Sequence, residues 1–399
     1  MDTRLITLAE LERGLAGGEL VYFYQPKVSL ISGRVSGVEA LIRWMKPDGS
    51  MVLPKEFIPF AEAMGFITTI SRAMFPRLIE DMVIINDLSD EITVSFNLSA
   101  QDIASPEMVG LIREAIQSSK IDAARLQVEI TEDSLISSTD TVVHDNVHEL
   151  VSLGVKLAMD DYGIGYSSID TLSRWPFSVV KIDQGLIRRM ADSEKSTTIV
   201  QASIRMAHQL GIGIVAEGIE AATTYEFLLH SGCTQAQGFW LGRPMPLQDL
   251  LAFIRRDQRW SAMPIGLIHM AQLDHIQWRK ALIGQVMALS FGKDRASGIR
   301  EGLAQMDHHH CKLGEWYYGV GQEFKGITAF DQLEEPHRVL HDLGKALLAI
   351  AQNGGSREEI TAALRALTRQ SGIVLELLQD LENEAILKAP ALADLADLN

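Results

Sequence analysis

The sequence contains very little cysteine and no long apolar run. Only Cys233 and Cys311 occur among 399 residues, which excludes a disulfide framework and favours a reducing compartment. No apolar stretch reaches the roughly 18 residues that a membrane-spanning helix needs, and the N-terminus lacks a secretory signal pattern. We therefore expect a cytoplasmic protein without a membrane span.

Positive charge is also scarce. The 36 Lys and Arg residues stand against 52 Asp and Glu residues, which gives a formal net charge of −16. Because a protein with this charge repels polyanions, we expect no nucleic-acid polymer as a partner. A phosphate-containing ligand must then be bound through metal ions or a few local basic side chains. The length and the 47% hydrophobic content predict at least two domains.

Short apolar runs alternate with longer amphipathic segments across the first 240 residues. The runs have the length of buried strands, so the pattern predicts an α/β fold of the TIM-like (β/α)8 barrel type. The expected strands are 21–24, 37–41, 93–96, 126–130, 155–159, 178–182, 212–216 and about 236–241. The expected helices include 54–64, 71–88, 102–118, 139–153, 195–210 and 220–231. Thr7 and Glu10 predict a capping box for a helix that begins at residue 8.

Side chains with carboxylate or amide oxygens recur at the ends of these strands. They are Glu39, Asn97, Glu129, Asp160, Asp161 and Glu217. Crowded carboxylates repel one another unless cations compensate them, and oxygen donors without Cys or His favour Mg²⁺ or Mn²⁺. Two adjacent aspartates suit a pair of metals that act on a phosphodiester, with Lys181 at a neighbouring strand end. Any one of these residues alone fits a solvated rim residue or a helix cap, but their shared position favours a metal site.

At these residues the chain resembles the EAL-domain family of cyclic-di-GMP phosphodiesterases, over residues 5–257. The resemblance rests on the motifs Tyr24-Gln25-Pro26-Lys27, Glu39-Ala40-Leu41-Ile42-Arg43-Trp44, Asn97-Leu98-Ser99, Glu129-Ile130-Thr131-Glu132, Asp160-Asp161-Tyr162-Gly163, Lys181-Ile182-Asp183, Ala216-Glu217-Gly218 and Gln237-Gly238-Phe239. It implies a barrel whose first strand is antiparallel to the rest. It also implies hydrolysis of cyclic-di-GMP to linear pGpG with two Mg²⁺ or Mn²⁺ ions per barrel.

The resemblance assigns a role to each site residue. The implied ligands of one metal are Glu39, Asn97, Glu129 and Asp160, and those of the other are Asp160, Asp161 and Glu217. The implied catalytic residues are Lys181, Glu217, Gln237 and Glu132. Lys181 is implied to orient or deprotonate the nucleophilic water, Gln237 to hold a second water, and Glu132 to anchor the loop 162–168. The implied substrate contacts are Gln25, Leu41, Arg43, Asp183 and Glu220. Because Tyr162 and Ile164 depart from the family's usual loop, a catalytically weak cyclic-di-GMP receptor is the alternative.

The strand pattern ends before residue 267. The turn-rich segment 258–266 predicts a linker between a barrel at 1–257 and a second domain at 267–383, with 384–399 as a tail. Apolar residues at helical spacing predict an antiparallel four-helix bundle in the second domain. The four expected helices are 267–291, 295–317, 329–353 and 356–383.

The second domain carries a candidate zinc site. One thiol and three imidazoles, from Cys311, His275, His337 and His341, favour zinc in a tetrahedral site. The alternative is a set of partly solvated histidines and a buried cysteine, which a histidine pair alone would favour. The motifs Asp274-His275-Ile276-Gln277-Trp278, Cys311-Lys312-Leu313-Gly314-Glu315-Trp316-Tyr317 and His337-Arg338-Val339-Leu340-His341 resemble the chemoreceptor zinc-binding domain over roughly 267–353. The resemblance implies one zinc on these four ligands, regulation of the barrel by zinc and redox state, and a homodimer.

Three consecutive histidines precede Cys311. On a helix, His308, His309 and His310 would point in different directions, so we expect at most one of them to join a metal cluster. Cys233 is expected to be a buried packing residue.

Overall fold

The computed structural model describes residues 6–89, 91–118, 120–131, 141–163, 168–262, 265–290 and 307–388. The chain divides into two compact units, Met1–Tyr225 with Thr234–Trp260, and Glu226–Cys233 with Ser261–Asn399. The main boundary between the units, at Trp260 and Ser261, falls inside the expected linker 258–266.

A sheet that closes into a barrel forms the centre of the first unit. Its strands in the described part of the chain are β1 (Leu20–Ser29), β2 (Val35–Met45), β3 (Met51–Val52), β4 (Thr93–Asn97), β5 (Leu126–Thr131), β6 (Lys156–Tyr162), β7 (Val179–Ile182), β8 (Gly213–Ala216) and β9 (Gln235–Gln237). Their order is β1-β9-β8-β7-β6-β5-β4-β2-β3, and β1 also pairs with β2, so the eight strands other than β3 form a closed ring. Strand β1 is antiparallel to both of its neighbours, whereas β2 and β4 to β9 pair in parallel. The predicted barrel and its antiparallel first strand are confirmed.

Helices connect these strands. They are α1 (Leu8–Ala16), α2 (Pro54–Ala63), α3 (Ile67–Leu88), α4 (Ala100–Ile103), α5 (Pro106–Gln117), α6 (Thr141–Ser152), α7 (Ser168–Arg174), α8 (Gln184–Arg189), α9 (Glu194–Leu210), α10 (Ala222–His230) and α11 (Leu247–Arg255), with a 3-10 turn at Ala123–Arg125. The capping box of α1 is confirmed, since the Thr7 side chain accepts from the Glu10 main-chain N–H and Glu10 accepts from the Thr7 N–H. The expected helix 102–118 is divided in two because Ser105 caps a new helix whose first residue is Pro106.

The last barrel strand is shorter than the expected 236–241. It ends at Gln237, and a Cβ on the next residue, Gly238, would lie 2.1 Å from the main-chain nitrogen of Ile219. The glycine therefore allows the chain after β9 to lie directly against the segment that follows β8.

Strand periodicity places the polar site above a small apolar layer. Ala158, Val179 and Val215 form a buried cluster separate from the main core, and each lies on a different strand, β6, β7 or β8. Alternate residues of a strand face the same side, so Asp160, Lys181 and Glu217, each two positions later, extend from that face. The site residues thus lie at the carboxyl ends of the parallel strands.

The second unit is helical. Its described elements are α12 (Ile265–Ser290), α13 (Lys312–Tyr318), a 3-10 helix (Val320–Phe324), α14 (Thr328–Asp331), α15 (Glu334–Gln352) and α16 (Arg357–Lys388). The expected helix 295–317 falls mostly outside the described residues, and its end is the short α13. The prediction of a tail from residue 384 is wrong for 384–388, because Leu378, Leu381 and Ala385 continue the buried face of α16. Among the described residues, no helix is long and apolar enough to cross a membrane.

Candidate active site and metal centre

The ammonium group of Lys181 lies at the centre of the polar site. Its Nζ is 2.5 Å from Glu129 Oε2, 2.7 Å from Glu217 Oε1, 3.1 Å from Asp160 Oδ1 and 3.5 Å from Glu39 Oε2. The side chain is 1% exposed. Four carboxylates that enter from four different strands or strand ends therefore share one buried cation.

A second buried lysine supports Glu129 from the opposite side. Lys27 Nζ donates to Glu129 Oε1 at 2.7 Å and to Ser95 Oγ at 2.6 Å. The sequence assigns no role to Lys27, because its place in the site depends on the pairing of β1 with β2. Lys27 and Gln25 are two positions apart on β1, and Gln25 is paired in register with Glu39.

Amide side chains hold Glu39. Asn97 Nδ2 donates to Glu39 Oε1 at 3.0 Å, and Gln237 Nε2 donates to Glu39 Oε2 at 2.7 Å and to Gln25 Oε1 at 3.0 Å. The other amide atom of Gln237, the buried Oε1, has no hydrogen-bond partner. This oxygen is available to accept a hydrogen bond from a water in the site.

Burial and crowding change the pKa values of the acidic groups unequally. Burial would raise the pKa of Glu129, but Lys181 and Lys27 hold it well below its usual range. Burial, together with the charge of Glu129, raises the pKa of Glu39. Burial, with Asp160 and Glu39 nearby, raises the pKa of Glu217 to about 8. Of these three residues, only Glu129, which lies between the two lysines, has a pKa shifted toward the ionised form.

The pKa of Lys181 is shifted in the direction that keeps it charged. Burial would lower the pKa of this amine, but the carboxylates of Asp160, Glu129, Glu217 and Glu39 raise it well above its ordinary value. Lys181 is therefore an ammonium group at neutral pH. It can donate hydrogen bonds and stabilise negative charge, but it cannot accept a proton in this arrangement.

Divalent cations fit the donor set of this site. Four carboxylates face two ammonium groups, so the site carries an excess of negative charge when all are ionised. All of the donors are oxygens, which suits Mg²⁺ or Mn²⁺. In the described part of the chain, no three barrel carboxylates bring their oxygens within 4.8 Å of one another, since the Lys181 ammonium lies between them.

The two consecutive aspartates lie at an irregularity in β6. The register between β6 and β7 shifts between Met159 and Tyr162, and Asp161 has a φ of 59°, in the left-handed region. The Asp161 N–H donates to Asp160 Oδ1 at 3.0 Å. Such a bulge breaks the strict alternation of side chains along β6, and of the two aspartates it is Asp160 that lines the cavity beside Lys181.

A cavity of about 290 Å³ opens onto Lys181. Its lining contains most of the implied substrate contacts, and it includes Gln25, Leu41, Arg43, Gln184, Glu220 and Phe239. A neighbouring cavity of about 330 Å³ also borders Leu41 and is lined by Pro54, Lys55, Ile58 and Ser99. Leu41 therefore contributes to both cavities.

Two implied site residues are placed differently or lie outside the described chain. Asp183 does not line the 290 Å³ cavity, and its Oδ1 accepts from the main-chain N–H groups of Gly185 and Leu186 at 2.9 and 3.2 Å. It is the N-cap of α8. Glu132 and Ile164 lie outside the described residues.

The helical unit brings together three of the four expected zinc ligands. Cys311, His337 and His341 are buried, and one ligand atom from each lies within 4.8 Å of the others. Cys311 Sγ is 3.2 Å from His337 Nε2 and accepts from the Gly314 N–H at 3.2 Å. His275 is also buried, but it does not belong to this cluster in the structure, and its Nε2 lies 2.8 Å from Ser371 Oγ.

The protonation states of this cluster suit a soft metal ion. Burial lowers the pKa of His337 to about 3 and that of His275 to about 4, so both imidazoles are neutral and can act as ligands. Burial raises the pKa of the Cys311 thiol to about 11. Metal binding must therefore displace the thiol proton.

The three histidines do not lie on a helix, because residues 307–310 form a turn. None of them belongs to the group of Cys311, His337 and His341, which agrees with the expectation that at most one would join it. Asp307, His308 and His309 form a second group with ligand atoms within 4.8 Å of one another. Cys233 is buried, as predicted.

Named bacterial signalling proteins are similar to this chain over about 60% of its length. Bifunctional diguanylate cyclase/cyclic di-GMP phosphodiesterase MucR of Pseudomonas aeruginosa is 36% identical over 252 residues, which are 63% of this chain and 37% of MucR. Cyclic di-GMP phosphodiesterase PdeR of Escherichia coli is 31% identical over 236 residues, which are 59% of this chain and 35% of PdeR. The chain thus spans about a third of the length of these relatives.

A solved structure described as the PaMucR phosphodiesterase in complex with c-di-GMP matches 61% of this chain and 98% of its own, with a TM-score of 0.58 and 36% identity. The model of the chemoreceptor zinc-binding domain matches residues 275–348, which contain Cys311, His337 and His341. The model of the EAL domain matches residues 8–244, more than half of the chain, and the protein therefore belongs to the EAL domain family.

Proposed function

We propose that the barrel hydrolyses cyclic-di-GMP to linear pGpG and requires Mg²⁺ or Mn²⁺. The observation that carries this proposal is the group of four carboxylates around Lys181 at the base of a 290 Å³ cavity. Relatives named as cyclic di-GMP phosphodiesterases over the same region support the substrate.

Two divalent ions would be held by Glu39, Asn97, Glu129, Asp160 and Asp161, with Glu217 beside them. When bound, they would supply a water of lowered pKa and neutralise the charge that develops on the phosphodiester. The excess of carboxylates over lysines, the oxygen-only donors and the unpartnered Gln237 Oε1 support this assignment.

The chain's own residues orient the reactants. Lys181, held protonated, donates a hydrogen bond to the attacking water and stabilises negative charge, while Gln237 Oε1 accepts from a second water. Arg43 and Arg188 both line the cavity, and Arg188 is paired with Glu220. The half-buried Arg43 guanidinium is therefore a positive charge that can meet a phosphate or a guanine edge. Gln25, Leu41 and Glu220 complete the substrate contacts on the same cavity.

We also propose that the helical unit binds one zinc ion through Cys311, His337, His341 and His275, and that zinc or oxidation of the thiolate regulates the barrel. The buried Cys311, His337 and His341 cluster supports the zinc site. His275 would have to exchange its contact with Ser371 for the metal. A homodimer is part of this proposal, and light scattering on the purified chain tests it.

Hydrolysis of cyclic-di-GMP by the purified chain tests the enzyme proposal. Linear pGpG should appear with Mg²⁺ or Mn²⁺ and should not appear when a chelator removes both. Intact cyclic-di-GMP after long incubation, together with tight binding, would identify the barrel as a receptor instead.

A further inference from the structure

A second group of metal-binding side chains lies on the surface of the helical unit. Asp307 Oδ1 is 3.0 Å from His309 Nδ1 and 3.4 Å from His308 Nδ1. The ligand atoms of these three residues all lie within 4.8 Å of one another. One carboxylate oxygen and two imidazole nitrogens therefore converge on one point.

The turn that carries these residues is held in shape by its surroundings. The Asp307 carbonyl accepts from the main-chain N–H groups of His310 and Cys311, each at 3.2 Å, and Asp307 Oδ1 accepts from the His309 N–H at 3.1 Å. A Cβ at Gly314 would lie 1.9 Å from the His308 carbonyl oxygen, so a glycine is needed where the turn packs on α13. The His309 ring stacks on Tyr318, with centroids 4.6 Å apart. The convergence is thus fixed by packing as well as by hydrogen bonds.

His308 lies between this surface group and the buried cluster. Its side chain is 14% exposed, compared with 49% for His309 and 52% for Asp307. The His308 ring is 6.1 Å from the ring of His337, and the His308 carbonyl oxygen is 3.7 Å from Cys311 Sγ. His308 therefore contacts both the surface group and the buried cluster.

We propose that Asp307, His308 and His309 form a second, solvent-open zinc site, from which the ion passes to the buried Cys311 cluster. Two nitrogens and one oxygen, with remaining positions open to water, suit zinc but bind it more weakly than a closed site that contains a thiolate. Weak binding suits a site that must release its ion. The transfer rests on the buried zinc site proposed above, whereas the outer site does not depend on it.

Zinc stoichiometry tests the outer site. Equilibrium dialysis of the full chain against Zn²⁺ should give two equivalents, one tight and one weak. Asp307→Asn/His309→Ala should lose the weak equivalent and keep the tight one, because the substituted amide retains an oxygen that can accept from the turn. Cys311→Ala should lose the tight equivalent and keep the weak one. His310 Nδ1 lies 3.3 Å from Asp307 Oδ2, so the matched control is instead the exposed His230→Ala, which should keep both equivalents.

The rate at which Co²⁺ fills the buried site tests the proposed transfer of metal from the outer site. The cobalt–thiolate charge-transfer absorption reports the buried site alone, and its final amplitude shows that each variant is folded. At limiting cobalt, the absorption should develop about tenfold more slowly in Asp307→Asn/His309→Ala than in His230→Ala, because the outer site no longer raises the local concentration of metal. Retention of the weak equivalent by the double variant, or loading as fast as the control, would overturn the proposal. Retention of both equivalents by Cys311→Ala would reject the buried zinc site, and the transfer with it, while the double variant still decides the outer site.

Discussion

Lys181 Nζ and Glu129 Oε2 are 2.5 Å apart, and both side chains are almost completely excluded from solvent. This pair joins β7 to β5 across the barrel end, and three further carboxylates contact the same ammonium group. The pair therefore fixes both the shape of the site and its charge before any metal binds.

Replacement of Lys181 by Met should abolish hydrolysis. The variant removes the hydrogen-bond donor and the positive charge at the reacting end of the cavity, and loss of one such donor lowers kcat about 10² to 10³-fold. Steady-state hydrolysis of cyclic-di-GMP at saturating Mn²⁺ measures the effect. Lys195→Met, on the exposed face of α9, is the matched control and should retain wild-type turnover.

The stability of the metal-free protein should fall as the pH rises from about 6.5 to about 8, above the range in which the lowered pKa values of His275 and His337 act in the opposite direction. The pKa of Glu217 in the folded protein is about 8, above the ordinary 4.5, so folding binds a proton in this interval. Its contribution is complete below pH 4.5 and is lost as the pH passes through 8. The change amounts to a few kcal/mol at most, because one pKa unit corresponds to about 1.4 kcal/mol.

Urea unfolding in the presence of a chelator measures this slope. Glu217→Gln should reduce the change of the unfolding free energy with pH. The change that remains comes from Glu39, whose pKa is also raised. The exposed Glu12→Gln should leave the slope unchanged. A wild-type protein that becomes more stable between pH 6.5 and pH 8 would contradict the assigned charges of the site.

Lys27→Met should destabilise the fold. Glu129 would lose one of its two buried lysine partners, and breaking a buried ion pair from one side costs about 3 to 5 kcal/mol, with the lower end expected because Lys181 remains. Ser95→Ala, which removes only the hydroxyl contact to Lys27, should cost about 1 kcal/mol. Equal effects of the two variants on urea unfolding would show that the Lys27 charge is not needed.

Cys311 should react slowly when zinc is absent. Burial holds the pKa of its thiol at about 11, so little thiolate exists at neutral pH. In a Cys233→Ser background, alkylation of the metal-free protein should accelerate as the pH rises toward 11. Redox regulation would therefore act on the zinc-bound thiolate. Fast alkylation of the metal-free protein at pH 7 would contradict this interpretation.

Much of the barrel could be predicted because its strands are short, buried and apolar, and because the oxygen donors mark their ends. The pairing of Lys27 with Glu129 could not be predicted, because it depends on the register between strands that are far apart in the chain. The sequence around Asp161 does not predict the irregularity in β6. A φ of 59° is unusual for a residue with a side chain, so an extended strand is the expected conformation there. The histidine turn was misinterpreted because its shape depends on Gly314, whose missing Cβ admits the His308 carbonyl.

Hydrolysis by Glu39→Ala tests the central claim most directly. Glu39 contacts Lys181, Asn97 and Gln237, so its loss removes a metal ligand while the main apolar core stays intact. We expect the purified variant to unfold cooperatively and to leave cyclic-di-GMP intact at any Mg²⁺ or Mn²⁺ concentration, whereas the wild-type chain converts it to pGpG. Wild-type turnover by the variant would show that the barrel carboxylates do not hold the catalytic metals.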